Sequence, residues 1–141
     1  MMYIHINRPY ILKCNVTYPT NEPQPLFSEL MIDKRVQPKS IDVSNSDQIL
    51  EISWGDGHVS RFSLFGLRKN CPCVECRGGH DKMGQFEPEL FRVEPTRTYK
   101  VLSAETVGNH ALKINWDDGH NSGMYRWNLL RQMDEAVQNL R

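Results

Sequence analysis

Apolar and polar residues alternate along two parts of the chain, and this alternation predicts two β-hairpins. Leu50, Ile52 and Trp54 alternate with polar residues, and the same pattern returns over residues 111–116. Each of these strands is followed by an Asp-Gly pair, which favours tight hairpin turns because glycine adopts positive φ angles at little cost. The predicted strands cover residues 41–43, 49–54, 58–64, 99–106, 111–116 and 120–125.

Helical periodicity is strongest near the C-terminal end of the chain. Trp127, Leu130 and Val137 recur at the spacing of one helix face, which predicts a helix over residues 126–140. A short helical turn is also expected over residues 64–69, just before the first cysteine.

The segments before and between the hairpins are irregular in pattern. Residues 1–30 are weakly patterned and contain several prolines, so we expect a loosely ordered N-terminal extension there. Residues 77–97 are polar and predict a loop with one helical turn at 87–91. The 141-residue chain is long enough to bury one core, which predicts a single domain over residues 31–141.

One nine-residue motif occurs twice in the chain. Residues 50–58 (LEISWGDGH) align with residues 112–120 (LKINWDDGH) at an offset of 62 residues. After each copy, a short strand leads to an aromatic residue and a Leu-Arg pair. Isolated hairpins are only marginally stable in water, so we expect both copies to share one core anchored by Trp54 and Trp116. The predicted fold is a small α+β domain of two pseudo-repeated antiparallel hairpins.

Net charge and hydropathy limit the classes of partner that we expect this chain to bind. The chain has 17 Lys and Arg residues against 17 Asp and Glu residues, so no strong net charge attracts nucleic acid or anionic lipid. No apolar run approaches the ~20 residues that a membrane-spanning helix needs. The N-terminal residues lack a basic region followed by an apolar stretch, so we expect no signal peptide and a cytoplasmic protein.

Three of the four cysteines lie within six residues of one another, in the stretch LRKNCPCVECRGG at residues 67–79. Cys71, Cys73 and Cys76 can offer three thiolates to one ion, and soft sulfur ligands suit zinc. Pro72 disfavours helical geometry at Cys71, and residues i and i+2 of a helix would point away from each other. We therefore predict a metal site in a reducing compartment rather than disulfides.

The fourth ligand of a tetrahedral site must come from elsewhere in the chain. His80 follows the cysteines most closely, whereas His58 and His120 occupy the same place in the two copies of the repeat. His5 is set aside because it lies in the N-terminal extension. The candidates that remain open are His58, His80, His110, His120 and, remotely, Cys14.

The two stretches that carry these motifs together resemble a known family. Residues 49–78 (ILEISWGDGHVSRFSLFGLRKNCPCVECRG) and 111–131 (ALKINWDDGHNSGMYRWNLLR) are similar to the γ-butyrobetaine hydroxylase-like N-terminal domain, also called domain of unknown function 971. The similarity covers residues 36–133. In the hydroxylases this domain precedes an iron- and 2-oxoglutarate-dependent catalytic barrel. Other members stand alone in bacteria or are fused to Mrp-type P-loop ATPases of iron–sulfur cluster assembly.

The resemblance also implies a set of metal ligands. The hydroxylase domain holds a structural zinc ion with three cysteines and one histidine, which match Cys71, Cys73, Cys76 and His120. His58 has no ligand counterpart in that pattern. Three thiolates and one imidazole saturate a tetrahedral ion, so it would be structural and would not activate water. Iron or an iron–sulfur cluster is the minor alternative, because the run lacks the usual fourth cysteine.

Three cations flank the predicted ligands. We expect Arg68, Lys69 and Arg77 to donate hydrogen bonds to the sulfurs and to offset their negative charge.

We expect this sequence to depart from the hydroxylases, because its 141 residues hold no motif of the catalytic barrel. His80, Asp81 and His110 do not supply the two histidines and one carboxylate of an iron site, so we expect no enzyme activity. The first hypothesis is therefore a non-catalytic zinc-binding accessory module that binds a protein partner. The resemblance connects this module to iron–sulfur cluster or 2-oxoglutarate oxygenase systems.

Two other functions compete with this hypothesis. A zinc-ribbon-like nucleic-acid binder is weakened by the zero net charge and by the lack of aromatic residues beside the cations. A thiol-based redox protein would show rapid alkylation of one cysteine, whereas thiolates in a closed zinc site react slowly. The cations that a nucleic-acid binder would use are Arg61, Arg68, Lys69, Arg77 and Lys82.

Overall fold

Two β-sheets form the framework, and each contains one copy of the repeat. The computed structural model describes residues 4–6 and 33–140. The strands are β1 (Ile4–Ile6), β2 (Pro38–Ser44), β3 (Ile49–Trp54), β4 (Val59–Ser63), β5 (Val101–Val107), β6 (Ala111–Trp116) and β7 (Met124–Arg126). In the first sheet the strand order is β1-β2-β3-β4, with β1 parallel to β2 and the other pairs antiparallel. The second sheet is antiparallel, in the order β5-β6-β7.

Each sheet leads directly into a helix. The helix α1 (Leu64–Lys69) follows β4, and α3 (Trp127–Gln138) follows β7, whereas the four-residue helix α2 (Val74–Arg77) lies within the cysteine-rich stretch. Among the described residues, no helix has the length and apolar character needed to cross a membrane. Short 3-10 turns occur at Lys34–Val36, His80–Lys82 and Pro88–Phe91.

The two copies of the repeat have matching backbone geometry. The main-chain N–H of Trp54 donates to the carbonyl of His58 at 2.9 Å, and Trp116 donates to His120 at 3.0 Å. The ladder between the first two strands of each copy is also irregular at the same place, near Ser40 in one copy and near Ser103 in the other. The predicted α+β fold of two repeated hairpins with short helices is confirmed.

One hydrophobic core lies between the two copies. Trp54 and Trp116 are among its largest fully buried side chains, as predicted. The Trp54 and Trp127 rings pack in a T-shaped arrangement at a centroid distance of 6.3 Å, and Tyr99 packs against Trp116 at 6.1 Å. The Trp54 indole N–H donates to the Ser60 hydroxyl at 2.8 Å, so this buried polar group is satisfied. The shared core explains why neither hairpin needs to be stable alone.

Two amide side chains join the sheets. The side chain of Asn45 exchanges hydrogen bonds of 3.1 and 2.8 Å with the main-chain carbonyl and N–H of Val101. Gln48 makes the equivalent pair with the main chain of Tyr99, at 2.8 and 3.0 Å. Both amides lie in the turn between β2 and β3. This turn therefore hydrogen-bonds to the main chain at the beginning of β5, as a neighbouring strand would.

Several elements differ from the sequence-based expectations, and the strand β2 extends beyond the expected residues 41–43. The strand predicted over residues 120–125 is reduced to Met124–Arg126, because residues 121–123 (Asn-Ser-Gly) favour irregular structure and have no ladder partner. The helix α2 was not predicted, and α3 is shorter than the expected range 126–140.

Part of the N-terminal prediction concerns residues outside the described ranges. Ile4–Ile6 form β1, paired with Ile41–Val43 of β2. The remaining residues of the expected extension, including Cys14, lie outside the described part of the chain.

Substitution of Gly66 tests the packing between the two copies. A Cβ atom at Gly66 would overlap the ring of Phe91, which packs against α1. We expect Gly66→Ala to lower the free energy of unfolding by about 1–3 kcal/mol, as overpacking in cores does. Urea denaturation measures the change. Lys69→Ala, at an exposed position of the same helix, serves as the control and should change stability by less than about 0.5 kcal/mol.

Candidate metal centre

The cysteine-rich stretch is held between α1 and a later turn. Asn70 is fully buried directly after α1, and its side chain donates to the carbonyl of Glu87 at 3.0 Å and accepts from the Glu87 N–H at 2.7 Å. Cys73 caps the N-terminus of α2, where its sulfur accepts a hydrogen bond from the N–H of Cys76. Cys71 precedes Pro72 outside either helix, so the three sulfurs converge from a turn rather than from one helix face.

His120 completes a four-residue cluster with these cysteines. Its Nε2 atom lies 3.1 Å from the Cys71 sulfur, 3.4 Å from that of Cys73 and 3.5 Å from that of Cys76. All four potential ligand atoms lie within 4.8 Å of one another. In an ideal zinc tetrahedron the nitrogen-to-sulfur edge is about 3.6 Å and the sulfur-to-sulfur edge about 3.8 Å. The cluster could therefore hold a metal ion with only small shifts of the side chains.

The position of His120 is set by a turn that Arg68 holds from the other copy. The Asp118 carboxylate accepts from the His120 main-chain N–H at 3.1 Å and from Arg68 Nε at 2.9 Å. A second nitrogen of Arg68 lies 3.6 Å from the Cys76 sulfur. Arg68 thus contacts both the turn that carries the histidine and one of the sulfurs, and it brings positive charge to a cluster of thiolates.

The other two expected cations have different roles. Lys69 places its ammonium group 5.8 Å from the centroid of the Phe65 ring. Arg77 donates to the main-chain carbonyls of Lys69 and Gln85, which ties α2 to the chain on either side. Within the described residues, Arg68 is the cation among the three that hydrogen-bonds to a sulfur.

Gly123 allows β7 to approach the cluster closely. A Cβ atom at this position would lie 2.5 Å from the Cys71 sulfur. Two residues later, the fully buried Tyr125 donates its hydroxyl to the carbonyl of Leu67 at 2.7 Å. The irregular segment before β7 therefore packs directly on the first cysteine.

The environment of the cluster changes the proton affinities of its members. Burial and the neighbouring cysteines raise the pKa of Cys71 to about 12. Burial acts in the same direction on Cys73, but hydrogen bonds from Cys76 outweigh it and lower the pKa of that thiol. Burial and nearby Arg68 lower the pKa of His120, which favours the neutral imidazole that metals bind. Because a cation must displace the remaining thiol protons, its binding weakens as pH falls.

The histidine of the first copy has a different partner. His58 Nε2 lies 2.5 Å from a carboxylate oxygen of Asp134, which is buried on α3. The same carboxylate accepts from the Ser60 hydroxyl at 3.0 Å and from the Gln138 amide at 3.1 Å. His58 is therefore engaged in a hydrogen-bond network with α3 and is not a member of the cysteine cluster.

The two histidine sites are related by the internal repeat. Arg131 of α3 binds Asp56 in the turn that carries His58, just as Arg68 of the first copy binds Asp118 in the turn that carries His120. Cys71 and Asp134 each follow the paired arginine by three residues. The turn that carries His120 thus contacts sulfurs of the first copy. The turn that carries His58 contacts a carboxylate on the helix of the second copy.

The remaining candidate ligands do not join the cluster. His80 and His110 lie elsewhere, and Cys14 lies outside the described residues. The roles of Asp118, Gly123 and Asp134 were not predicted from the sequence. The spacing of Arg-x-x-Cys and Arg-x-x-Asp in the two copies was the signal that could have pointed to Asp134.

These features define a small α+β domain of two interlocked hairpins with a Cys3His cluster that could hold a metal ion. The sequence profile of the family described as gamma-butyrobetaine hydroxylase-like, N-terminal, matches residues 41–131. The chain belongs to this family.

Solved structures and a curated relative agree with this assignment. A crystal structure of a protein of unknown function from Acidithiobacillus ferrooxidans, assigned to the domain of unknown function 971 family, is 31% identical with a TM-score of 0.55, covering 72% of this chain and 97% of that one. A solution NMR structure is 26% identical with the same TM-score, covering 70% and 69% of the two chains. A gamma-butyrobetaine dioxygenase from Pseudomonas sp. (strain AK-1) is 32% identical over 77 residues, which are 54% of this chain. The match spans only 19% of that enzyme's length.

Replacing each histidine by alanine separates the two sites. We expect His120→Ala to purify with less than one equivalent of metal, because it removes one of four ligand atoms. We expect His58→Ala to keep its metal and to lose about 1–3 kcal/mol of stability, because buried Asp134 loses a hydrogen-bond partner. Metal analysis combined with urea denaturation distinguishes these results. Loss of metal in His58→Ala with retention in His120→Ala would overturn the assignment of the fourth ligand.

Gly123 provides a test that leaves every ligand in place. Gly123→Ala should displace the Cys71 sulfur and weaken metal binding, because the added methyl group would lie in contact with that sulfur. Competition with a chromogenic chelator measures the affinity. Ser122→Ala, one residue earlier at an exposed position, is the matched control. Equal metal affinities in the two variants would show that the close approach at Gly123 has no effect on the site.

Proposed function

We propose that this chain is a non-catalytic accessory domain that binds one zinc ion through Cys71, Cys73, Cys76 and His120 and acts by binding a protein partner. The observation that carries the metal assignment is the distance of 3.1–3.5 Å from His120 Nε2 to each of three sulfurs. Three cysteines and one histidine are a common donor set of structural zinc sites. An iron–sulfur cluster fits less well because its usual ligand set is four thiolates and this cluster has three.

The closed donor set supports a structural role for the ion. Four protein ligands saturate tetrahedral zinc and leave no position for a substrate or an activated water molecule. The zinc ion would add a bond between the cysteine-rich stretch of the first copy and the turn of the second copy. Three thiolates and one divalent cation together carry a net negative charge. Arg68 would offset part of this charge.

Two observations support a role beside other proteins. The similarity to part of a gamma-butyrobetaine dioxygenase links this kind of domain to oxygenases. The family resemblance described above adds iron–sulfur cluster assembly as a second setting. Both settings support a role beside larger catalytic proteins, and cysteine thiols suit the reducing environment of the cytoplasm.

Metal analysis of the purified protein tests the proposed zinc site. We expect one zinc ion per chain, a lower melting temperature after treatment with a strong chelator, and slow alkylation of the three cysteines while zinc is bound. Identical melting of metal-free and zinc-loaded protein would contradict a structural role. Rapid alkylation of one cysteine in the zinc-loaded protein would favour thiol-based redox chemistry, and a salt-dependent gel shift would favour nucleic-acid binding.

A further inference from the structure

An open groove lies beside the candidate metal centre in the second copy. It has a volume of about 610 Å³ and lies between the cysteine-rich stretch, residues 83–85, β7 and the beginning of α3. Met83 and Met124 line the groove and are half exposed, at 50% and 51%. Cys73 also lines it, so one wall of the groove includes a member of the Cys3His cluster. The groove therefore offers apolar surface directly beside the cluster.

The lining of the groove contains one cation and no carboxylate. Arg126 lines it, is exposed and forms no ion pair with any described residue. The helix α3 begins directly after this arginine, without an acidic residue in its first turn, and the N-terminal end of a helix adds partial positive charge. A negatively charged occupant is therefore favoured by charge complementarity. The neutral polar residues of the lining are Gln85, Ser122, Asn128 and Gln132.

The first copy shows what covers the corresponding face of the fold. Ser63 and Arg126, 63 residues apart, are the last residues of β4 and β7, and each directly precedes a helix. In the first copy the turn Pro88–Phe91 packs on this junction. The Ser63 hydroxyl donates to the carbonyl of Phe91 at 3.4 Å, and the Phe91 ring lies 5.6 Å from the ring of Phe62. A short polypeptide segment with apolar and acidic residues thus covers the junction in the first copy.

The second copy differs at the position that decides how closely an occupant approaches the helix. Gly66 leaves room for the Phe91 ring on α1, and the equivalent residue 63 positions later is Leu129. The Leu129 side chain lines the groove and leaves no space for a ring at the same place on α3. An occupant of the groove therefore lies further from the helix, against Met83 and Met124.

We propose that this groove binds a short segment of a partner protein that carries an apolar side chain next to a carboxylate. The apolar side chain packs on Met83 and Met124, whose flexible side chains adapt to differently shaped partners. The carboxylate pairs with Arg126. The amides of the lining bind the main chain of the segment, as the Asn45 and Gln48 amides bind the main chain elsewhere in this fold.

This inference rests on the proposed function, because it names the surface through which the accessory domain binds its partner. It adds the chemical class of the partner segment, which the proposed function leaves open. The chain itself then covers the strand–helix junction of the first copy, and a second protein covers that of the second copy.

Methyl NMR on the full-length, zinc-loaded protein tests the groove with a defined probe. The probe is a peptide with the sequence of residues 85–91 (QFEPELF), which covers the equivalent junction of the first copy. We expect saturable shifts of the Met83 and Met124 methyl signals and none of the signal of the fully buried Met133. The same peptide with both glutamates replaced by glutamine should bind about three- to fivefold more weakly, as loss of an exposed ion pair predicts. Unchanged Met83 and Met124 signals, or equal affinities of the two peptides, would overturn the proposal.

A pair of variants tests the charge that the groove provides. Arg126→Ala should weaken binding of the acidic peptide by about three- to fivefold and abolish its advantage over the neutral peptide. Lys113→Ala removes a half-exposed cation of β6 outside the groove and should leave both affinities unchanged. An acidic peptide that keeps its advantage in Arg126→Ala would contradict the assigned ion pair and overturn the proposal.

Two further measurements distinguish other occupants and the metal site. Sedimentation that shows dimers, with concentration-dependent shifts of Met83 and Met124 in the absence of peptide, would assign the groove to a second copy of the chain. Octanoate that binds at the same signals more tightly than the peptide would assign it to small carboxylates. Either result overturns the proposal. One zinc ion per chain without peptide binding would contradict the groove proposal alone, whereas absence of zinc would contradict the proposed metal site whatever the peptide does.

Discussion

The structure depends on the reciprocal docking of two Asp-Gly-His turns. Each turn extends from its own sheet to the helical segment of the other copy, where its aspartate binds an arginine and its histidine contacts a polar cluster. Both tryptophans are buried in the one core that the two copies share, and isolated two-stranded hairpins are marginally stable in water. The shared core and the exchanged turns therefore support each other, and separation of the copies would expose both.

The histidine at the end of each Asp-Gly-His turn contacts a different kind of chemical group in each copy. In one copy, His120 faces three sulfurs that could share a metal ion with it, and in the other copy His58 bonds directly to the carboxylate of Asp134. A metal ion would bind four side chains at once, and the turn Cys71–Cys76 brings three of them close together. A carboxylate needs only one position on a regular helix, which is why α3 continues through Asp134 whereas α1 ends before the cysteines.

The Cys3His cluster could hold a metal ion, and the proposed function gives that ion a structural role. The cluster lies where two polypeptide segments meet, beside a buried tyrosine, a glycine and an arginine that also holds the histidine-bearing turn. The arginine and the glycine help to set the positions of the ligands. Under the proposed function, a protein partner binds exposed surface beside the centre rather than the centre itself.

The sequence by itself determined the repeated hairpins, the two anchoring tryptophans and the three converging cysteines, because these depend on local periodicity and on close spacing. Residue patterns alone left the choice among several histidines open, and only the resemblance favoured His120. The tertiary structure decided which side chains meet across the copies: His58 with Asp134, Arg68 with Asp118, and Gly123 with Cys71. Such contacts join residues about 50 to 76 positions apart, so they arise from the packing of one copy on the other and have no local pattern in the chain.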